Sequence, residues 1–226
     1  LAQIGPGDAA AAAARAALGR GDLLAAFDHA SAGLAPGDAP DRELDYLKLM
    51  AMARMGSTAE ALALYSASTL GQSGNTDHLA LHARLLKDLA HCAEGDRRAQ
   101  AYRRASAEYR EIHRRTDASY AGINAASLAF MARDEAEAQA LARQVLSAAD
   151  VVSPADYFAA ATACEALLLL GREEEAAAAL EAALCFEDAA PGSRSSTAKQ
   201  LAMLFGTGRL PDAQRLIEIV RVPPVV

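Results

Sequence analysis

The chain has 226 residues, of which 22 are basic and 29 acidic, so its net charge is −7. That balance argues against a general nucleic-acid binder, which needs a basic surface to meet phosphate. Hydrophobic residues reach 52% with only 5% aromatics, and alanine supplies much of the difference. Alanine has the highest helix propensity and lets helices approach closely, so the composition points to helices packed on helices.

Three cysteines, Cys92, Cys164 and Cys185, are widely spaced and form no CxxC pair. That pattern argues against a disulfide scaffold and for a reducing, cytoplasmic setting. The alanine run Ala9–Ala14 lacks a basic n-region and is broken by Arg15, so it does not resemble a signal peptide. The longest strongly apolar run, Ala166–Leu170, is too short to span a bilayer. The chain begins at Leu1 rather than methionine, which suggests a piece of a longer protein.

In chain order, the predicted elements come in pairs. The first pair is Asp8–Leu18 with Asp22–Leu34, followed by a loop from Pro36 to Pro40 and a capping Asp41. Arg42–Met55 then pairs with Thr58–Leu70, and Gly71–Asn75 forms a second loop. Thr76 and Asp77 open a third pair, Asp77–Ala93 with the long Asp96–Arg115. Asp117–Leu146 is the fourth, broken at Arg133-Asp134. The fifth, Ala155–Leu170 with Glu173–Phe186, starts at Ser153-Pro154, a serine cap with proline in the first turn. The sixth is Ser195–Phe205 with Pro211–Val220.

A repeated device underlies these pairs. A break, usually glycine, precedes an alanine five positions later: Gly21 and Ala26, Gly56 and Ala61, Gly171 and Ala176, Gly208 and Ala213. Arg133 replaces the glycine before Ala138. The alanines recur at roughly 35 to 38 residues, with one gap about twice that, close to the period of tetratricopeptide repeats. The glycine closes the turn between antiparallel helices, and the alanine marks a crossing too close for a larger side chain. The fold expected is therefore all-α, a tetratricopeptide-like α-α superhelix of about six antiparallel pairs. It should occupy residues 1–220. The tail 221–226, with Pro223 and Pro224 before Val225-Val226, is expected to be a linker or the truncated start of a following domain.

Few residues suggest chemistry. His78 and His82 stand one helical turn apart, but no glutamate lies between them and no third ligand is evident. A solvated or capping pair is expected there, with no metal. His91 and Cys92 are adjacent on a helix, about 100° apart around its axis, so they cannot serve as a nucleophilic pair alone. Glu173-Glu174-Glu175 suits the positive end of a helix macrodipole. No phosphate loop, nucleophile elbow or paired-carboxylate site stands out, so neither a cofactor nor an enzymatic activity is expected.

The most uneven charge lies on Asp96–Arg115, with arginines at 97, 98, 103, 104, 110, 114 and 115. Arg103, Arg110 and Arg114 share one face of that helix, while Ala101, Tyr102, Ala105, Tyr109 and Ile112 share another. The arginine face is either a solvated flank or a docking surface for an acidic partner. Its lack of interleaved aromatics favours protein over RNA.

Tyr120-Ala-Gly-Ile-Asn-Ala-Ala126 resembles a Y-x-G-I-N-A-A signature of the TRAF-binding tetratricopeptide-like region. That region occurs in apoptosis signal-regulating kinases and in bacterial multidomain signalling proteins. Ala83–Asp88, Leu141–Val145 and Ser195–Leu201 resemble its flanking helices, and Pro223–Val226 is similar to the strand that opens a Rossmann-like domain in bacterial relatives. The likeness runs from Thr76 to the end; Arg133 departs from it where glycine is usual in the turn. The resemblance implies a non-catalytic regulatory or scaffolding domain that binds a protein partner or an adjacent effector domain, with oligomerisation open. It marks Tyr120, Gly122, Ile123, Asn124, Ala125 and Ala126 as motif residues, serving either packing or a groove. Asn124 is expected to satisfy a neighbouring loop carbonyl or amide, Gly122 to permit close helix approach, and Tyr120 to pack its ring and hydrogen-bond its hydroxyl at an edge. The rival expectation is a peptide or small-ligand sensor, with its groove near Tyr120, Asn124 and Tyr157.

Overall fold

A computed structural model describes residues 6–34, 41–211 and 213–221. Among them every regular element is helical, and the chain divides into two compact units, Leu1–Glu94 and Gly95–Val226. The tail from residue 222 onward lies outside the described residues, as does the loop at 35–40.

The first unit contains α1 (Pro6–Arg20), α2 (Leu23–Ala32), α3 (Arg42–Arg54), α4 (Thr58–Ala67) and α5 (Thr76–Cys92). Here α3 packs against α1 and α2 on one side and α4 and α5 on the other. Its core joins Ala14, Ala17, Ala26 and Ala30 to Leu44 and Leu47, and farther on Leu49 and Met52 to Ala61, Tyr65, Leu81 and Leu85. The second unit contains α6 (Gly95–Thr116), α7 (Ser119–Met131), α8 (Glu135–Leu146), the short α9 (Ala149–Val152), α10 (Tyr157–Leu169), α11 (Glu173–Ala183), α12 (Pro191–Phe205) and α13 (Ala213–Val220). In it α7 is the central helix, packed against α6, α8 and α10.

The glycine–alanine device has a clear physical origin. Gly21, Gly56 and Gly171 have φ of 80°, 93° and 71°, and Arg133 takes the same left-handed conformation at 66°. At each, two backbone bonds close the preceding helix. The Gly21 amide donates to the Leu18 carbonyl, and the Asp22 amide to the Ala17 carbonyl; the same pair of bonds recurs at Gly56-Ser57, Arg133-Asp134 and Gly171-Arg172. These are Schellman closures, which satisfy carbonyls left over at a helix end. The residue after the left-handed one is also the N-cap of the next helix, so one helix stops and the next starts within two residues. The alanine four residues on makes the first intrahelical bond: the Ala26 amide donates to the Asp22 carbonyl at 3.0 Å and that of Ala138 to the Asp134 carbonyl at 3.0 Å. Ala26, Ala61, Ala138, Ala176 and Ala213 all have no exposed surface.

Some boundaries differ from the sequence reading. α4 stops at Ala67, where the Ser68 hydroxyl donates to the Tyr65 carbonyl, and a 3-10 turn covers Leu70–Gln72. α9 was not expected. α10 begins at Tyr157, not Ala155, because the Asp156 carboxylate caps it by accepting from the Ala159 amide at 2.8 Å. Pro191-Gly192-Ser193, expected to lead into α12, forms its first turn, with proline where no amide is needed.

Candidate functional site

The motif on α7 sits in the interior of the second unit. Ala125 and Ala126 have no exposed surface, Ile123 is 3% exposed, and Gly122 is buried. A Cβ on Gly122 would lie 2.6 Å from Val145 Cγ2 of α8 and 3.1 Å from His113 Cε1 of α6. Glycine is therefore required for three helices to meet at this point. His113 is held there by its Nδ1, which donates to the Ala118 carbonyl at 3.0 Å; a carbonyl can only accept, so that nitrogen carries the proton. Ser106 of α6 donates to the Ala125 carbonyl at 2.8 Å. Asn124 and Tyr120 are partly buried, and Asn124 Nδ2 donates to the Tyr120 carbonyl one turn back, at 2.8 Å. The carbonyl that this bond reaches lies within the same helix.

Tyr157 lies elsewhere. Its side chain has no exposed surface, and its hydroxyl donates to Thr197 Oγ1 of α12 at 2.9 Å. Its amide donates to the Asp188 carboxylate at 3.0 Å. Burial, partly offset by the Thr197 bond, raises its phenolic pKa. The residue expected to line a groove instead ties α10 to α12, and in this arrangement it offers no surface to a partner.

All seven arginines of α6 are exposed, while Tyr102, Ala105, Tyr109 and Ile112 on the opposite side are buried. Arg110 reaches Glu137 of α8 at 2.7 Å, and Arg114 forms a two-bond fork with Glu111 at 2.7 and 2.8 Å. The fork and nearby arginines hold the Glu111 carboxyl below its usual range. Such exposed pairs contribute little to stability and open easily. Arg103 is exposed on the same side.

A second polar face, which the sequence reading missed, runs across α1, α3 and α5 in the first unit. At one end Glu43 takes Arg15 of α1 at 2.8 Å and lies 3.3 Å from His78 Nε2 of α5. His78 is 5% exposed, has Nδ1 3.0 Å from Ser73 Oγ, and packs its ring 5.1 Å from that of Tyr46. It is thus a buried bridge between helices and not a solvated residue, while His82 stacks on Tyr65. At the other end Arg54 of α3 donates to the Leu18 carbonyl of α1 at 2.8 Å, and Arg84 of α5 lies over the Met50 sulfur at 3.3 Å. Tyr46, Met50 and Arg54 follow one another at one-turn spacing along α3. That spacing is legible in the sequence, but which neighbouring helices meet it is not.

No group of three or more His, Cys, Asp or Glu among the described residues could hold a metal ion. Cys164 is buried, and burial together with Glu165 pushes its thiol up, which works against a reactive thiolate. Among the described residues no helix is long and apolar enough to cross a membrane.

Residues 22–129 match the model of the Tetratricopeptide Repeats-Sensor family, just under half of the chain. The fold is similar to that of a thermophilic TPR protein from Thermus thermophilus, with a TM-score of 0.68 at 16% identity over 87% of this chain and 99% of that one. A tetratricopeptide repeat protein from Parabacteroides merdae aligns over 95% of this chain and 98% of its own at 16% identity, with a TM-score of 0.33. No curated protein matches the chain. The architecture is a tetratricopeptide-like α-α superhelix.

Proposed function

We propose that the chain is a non-catalytic interaction module that regulates or scaffolds a larger, bacterial, cytoplasmic signalling protein. The observation that carries this is the charge of α6: seven exposed arginines on one 22-residue helix of a chain with net charge −7. An acidic protein surface, either a partner's or that of an adjacent effector domain, is the natural complement. Arg103, Arg110 and Arg114 supply the contacts, with Glu137 and Glu111 acting as exchangeable partners in the free state. Repeat scaffolds of this kind bind along extended faces, and the signalling setting draws on the resemblance of Tyr120–Ala126. In this reading the motif residues Tyr120, Gly122, Ile123, Asn124, Ala125 and Ala126 serve helix packing. The test is capture of the native partner by the wild-type chain and by an R103E/R110E/R114E variant of unchanged circular dichroism. Loss of capture by the variant, and by the wild type at high salt, is expected; undiminished capture by the variant overturns the docking surface.

A second reading is a sensor of a peptide or small ligand. It is supported by the sensor-family match over residues 22–129 and by the polar α1–α3–α5 face. Here the ligand would lie along Tyr46, Met50, Arg54 and Arg84, not in the groove near Tyr120, Asn124 and Tyr157.

A further inference from the structure

We propose that the Arg54–Arg84 end of the α1–α3–α5 face binds the phosphate of a small phosphate ester. The proposal rests on the ligand-sensing reading and gives that site its chemistry.

Arg84 is 38% exposed at its side chain, and its nearest carboxylate oxygen, on Asp88, is 3.8 Å away, beyond hydrogen-bond reach. One of its Nη atoms is spent on a thioether, the weakest acceptor available. Arg54 is exposed and gives one N–H to a neutral carbonyl; among the described residues no carboxylate lies within ion-pair distance of it. The carbonyl it uses, that of Leu18, also accepts from the Gly21 amide in the α1 closure, so the guanidinium is anchored to a rigid turn. Met50 and Arg54 are one turn apart on α3, which sets the Arg84 head beside the Arg54 stem. The two like charges act on each other: burial and then Arg84 lower the Arg54 pKa.

Six arginines elsewhere in the chain are answered by a close carboxylate. Arg15, Arg110, Arg114, Arg172, Arg209 and Arg215 each have a carboxylate oxygen at 2.6–2.8 Å. Two adjacent guanidiniums lacking such a partner, each with spare donors in a planar fork, match a dianion whose tetrahedral oxygens can face both forks. A single carboxylate would occupy only one fork. The partly buried Tyr46 and Met50 side chains along the same stripe offer an aromatic and apolar flank for the body of an ester. Glu43 at the far end would repel an extended polyanion, which favours a small ligand over RNA.

The experiment is calorimetric titration of the full chain at constant ionic strength with phenyl phosphate, inorganic phosphate and acetate. Phenyl phosphate should bind, inorganic phosphate more weakly, and acetate not at all above a chloride blank. R54Q and R84Q should each weaken phenyl phosphate by about tenfold or more, with R84K intermediate because it keeps the charge and loses the fork. R172Q, in the second unit, should bind as wild type. Equal binding by wild type, R54Q and R84Q overturns the proposal, as does acetate matching phosphate. So does silence toward all phosphate compounds; if an uncharged compound then shifts the melting temperature in an Arg84-dependent way, the phosphate assignment fails while the sensor reading stands.

Discussion

Val145 of α8 stands against Gly122 of α7 so closely that a single added carbon would lie 2.6 Å from its Cγ2. Helix preference alone would favour alanine at 122 by about 1 kcal/mol. The contact should outweigh it, because overpacking a closed core costs about 1–3 kcal/mol. G122A is expected to be destabilised in urea unfolding. In G122A/V145A the two changes should be strongly non-additive, since the smaller partner relieves the clash. Simple additivity would mean that Gly122 is kept for another reason.

Arg133 occupies the left-handed turn position that glycine fills at 21, 56 and 171. A side chain there carries a steric cost of about 1–2 kcal/mol, which glycine avoids while losing more backbone freedom on folding. R133G should therefore stabilise the chain by about 0.5–1 kcal/mol. G171A should do the reverse. Thermal unfolding of the two variants against wild type checks both signs.

Arg209, between α12 and α13, sets its guanidinium 4.0 Å from the centre of the Phe130 ring. It also donates to the Phe130 carbonyl and, at 2.8 Å, to Glu135. One side chain thus ties the last hairpin to the α7–α8 turn. R209A should cost about 1–2 kcal/mol, combining a cation–π contact with a second bond to the helix-end carbonyl of Phe130, which also accepts from the Arg133 amide. R209K should recover little, because an ammonium cannot stack on the ring and reach both acceptors. Recovery to wild type in R209K would reduce the contact to simple charge.

Burial first, and the Asp77 charge next, raise the Tyr46 hydroxyl from 10.0 to about 12. The folded chain then holds this proton more tightly than the unfolded chain. The resulting stabilisation is complete below pH 10 and is lost as pH rises toward 12. Between pH 9 and 11 wild type should lose about 1 kcal/mol more than Y46F, whose ring packs similarly and does not titrate. Parallel pH curves for the two proteins would show that Tyr46 titrates as if exposed.

Much of the helical order was legible in the sequence because its signals are local. A left-handed turn demands glycine or its equivalent, a cap demands Asp or Ser, and a close crossing demands alanine. Asp22, Asp41 and Asp134 each cap the helix that follows them, and the five spaced alanines are all buried. The α6 face pattern was equally plain, since arginine and tyrosine separate at helical spacing. Short interruptions read less well: α9 has no side-chain cap to announce it, and the late start of α10 depends on Asp156, not Ser153, capturing a backbone amide.

What the sequence determined by itself was the all-helical repeat, its turns and the unequal charge of one helix, all properties of residues close together in the chain. Tertiary structure alone decided where the candidate sites lie. Tyr157 has an aromatic ring suited to a groove, yet its hydroxyl finds Thr197 forty residues away and it becomes core. Arg54 and Arg84 are thirty residues apart and unremarkable singly, and they become neighbours only because α3 packs against α5. Periodicity shows which face of a helix is polar. It does not show which other helix that face will meet, because contacts across helices depend on packing between distant segments.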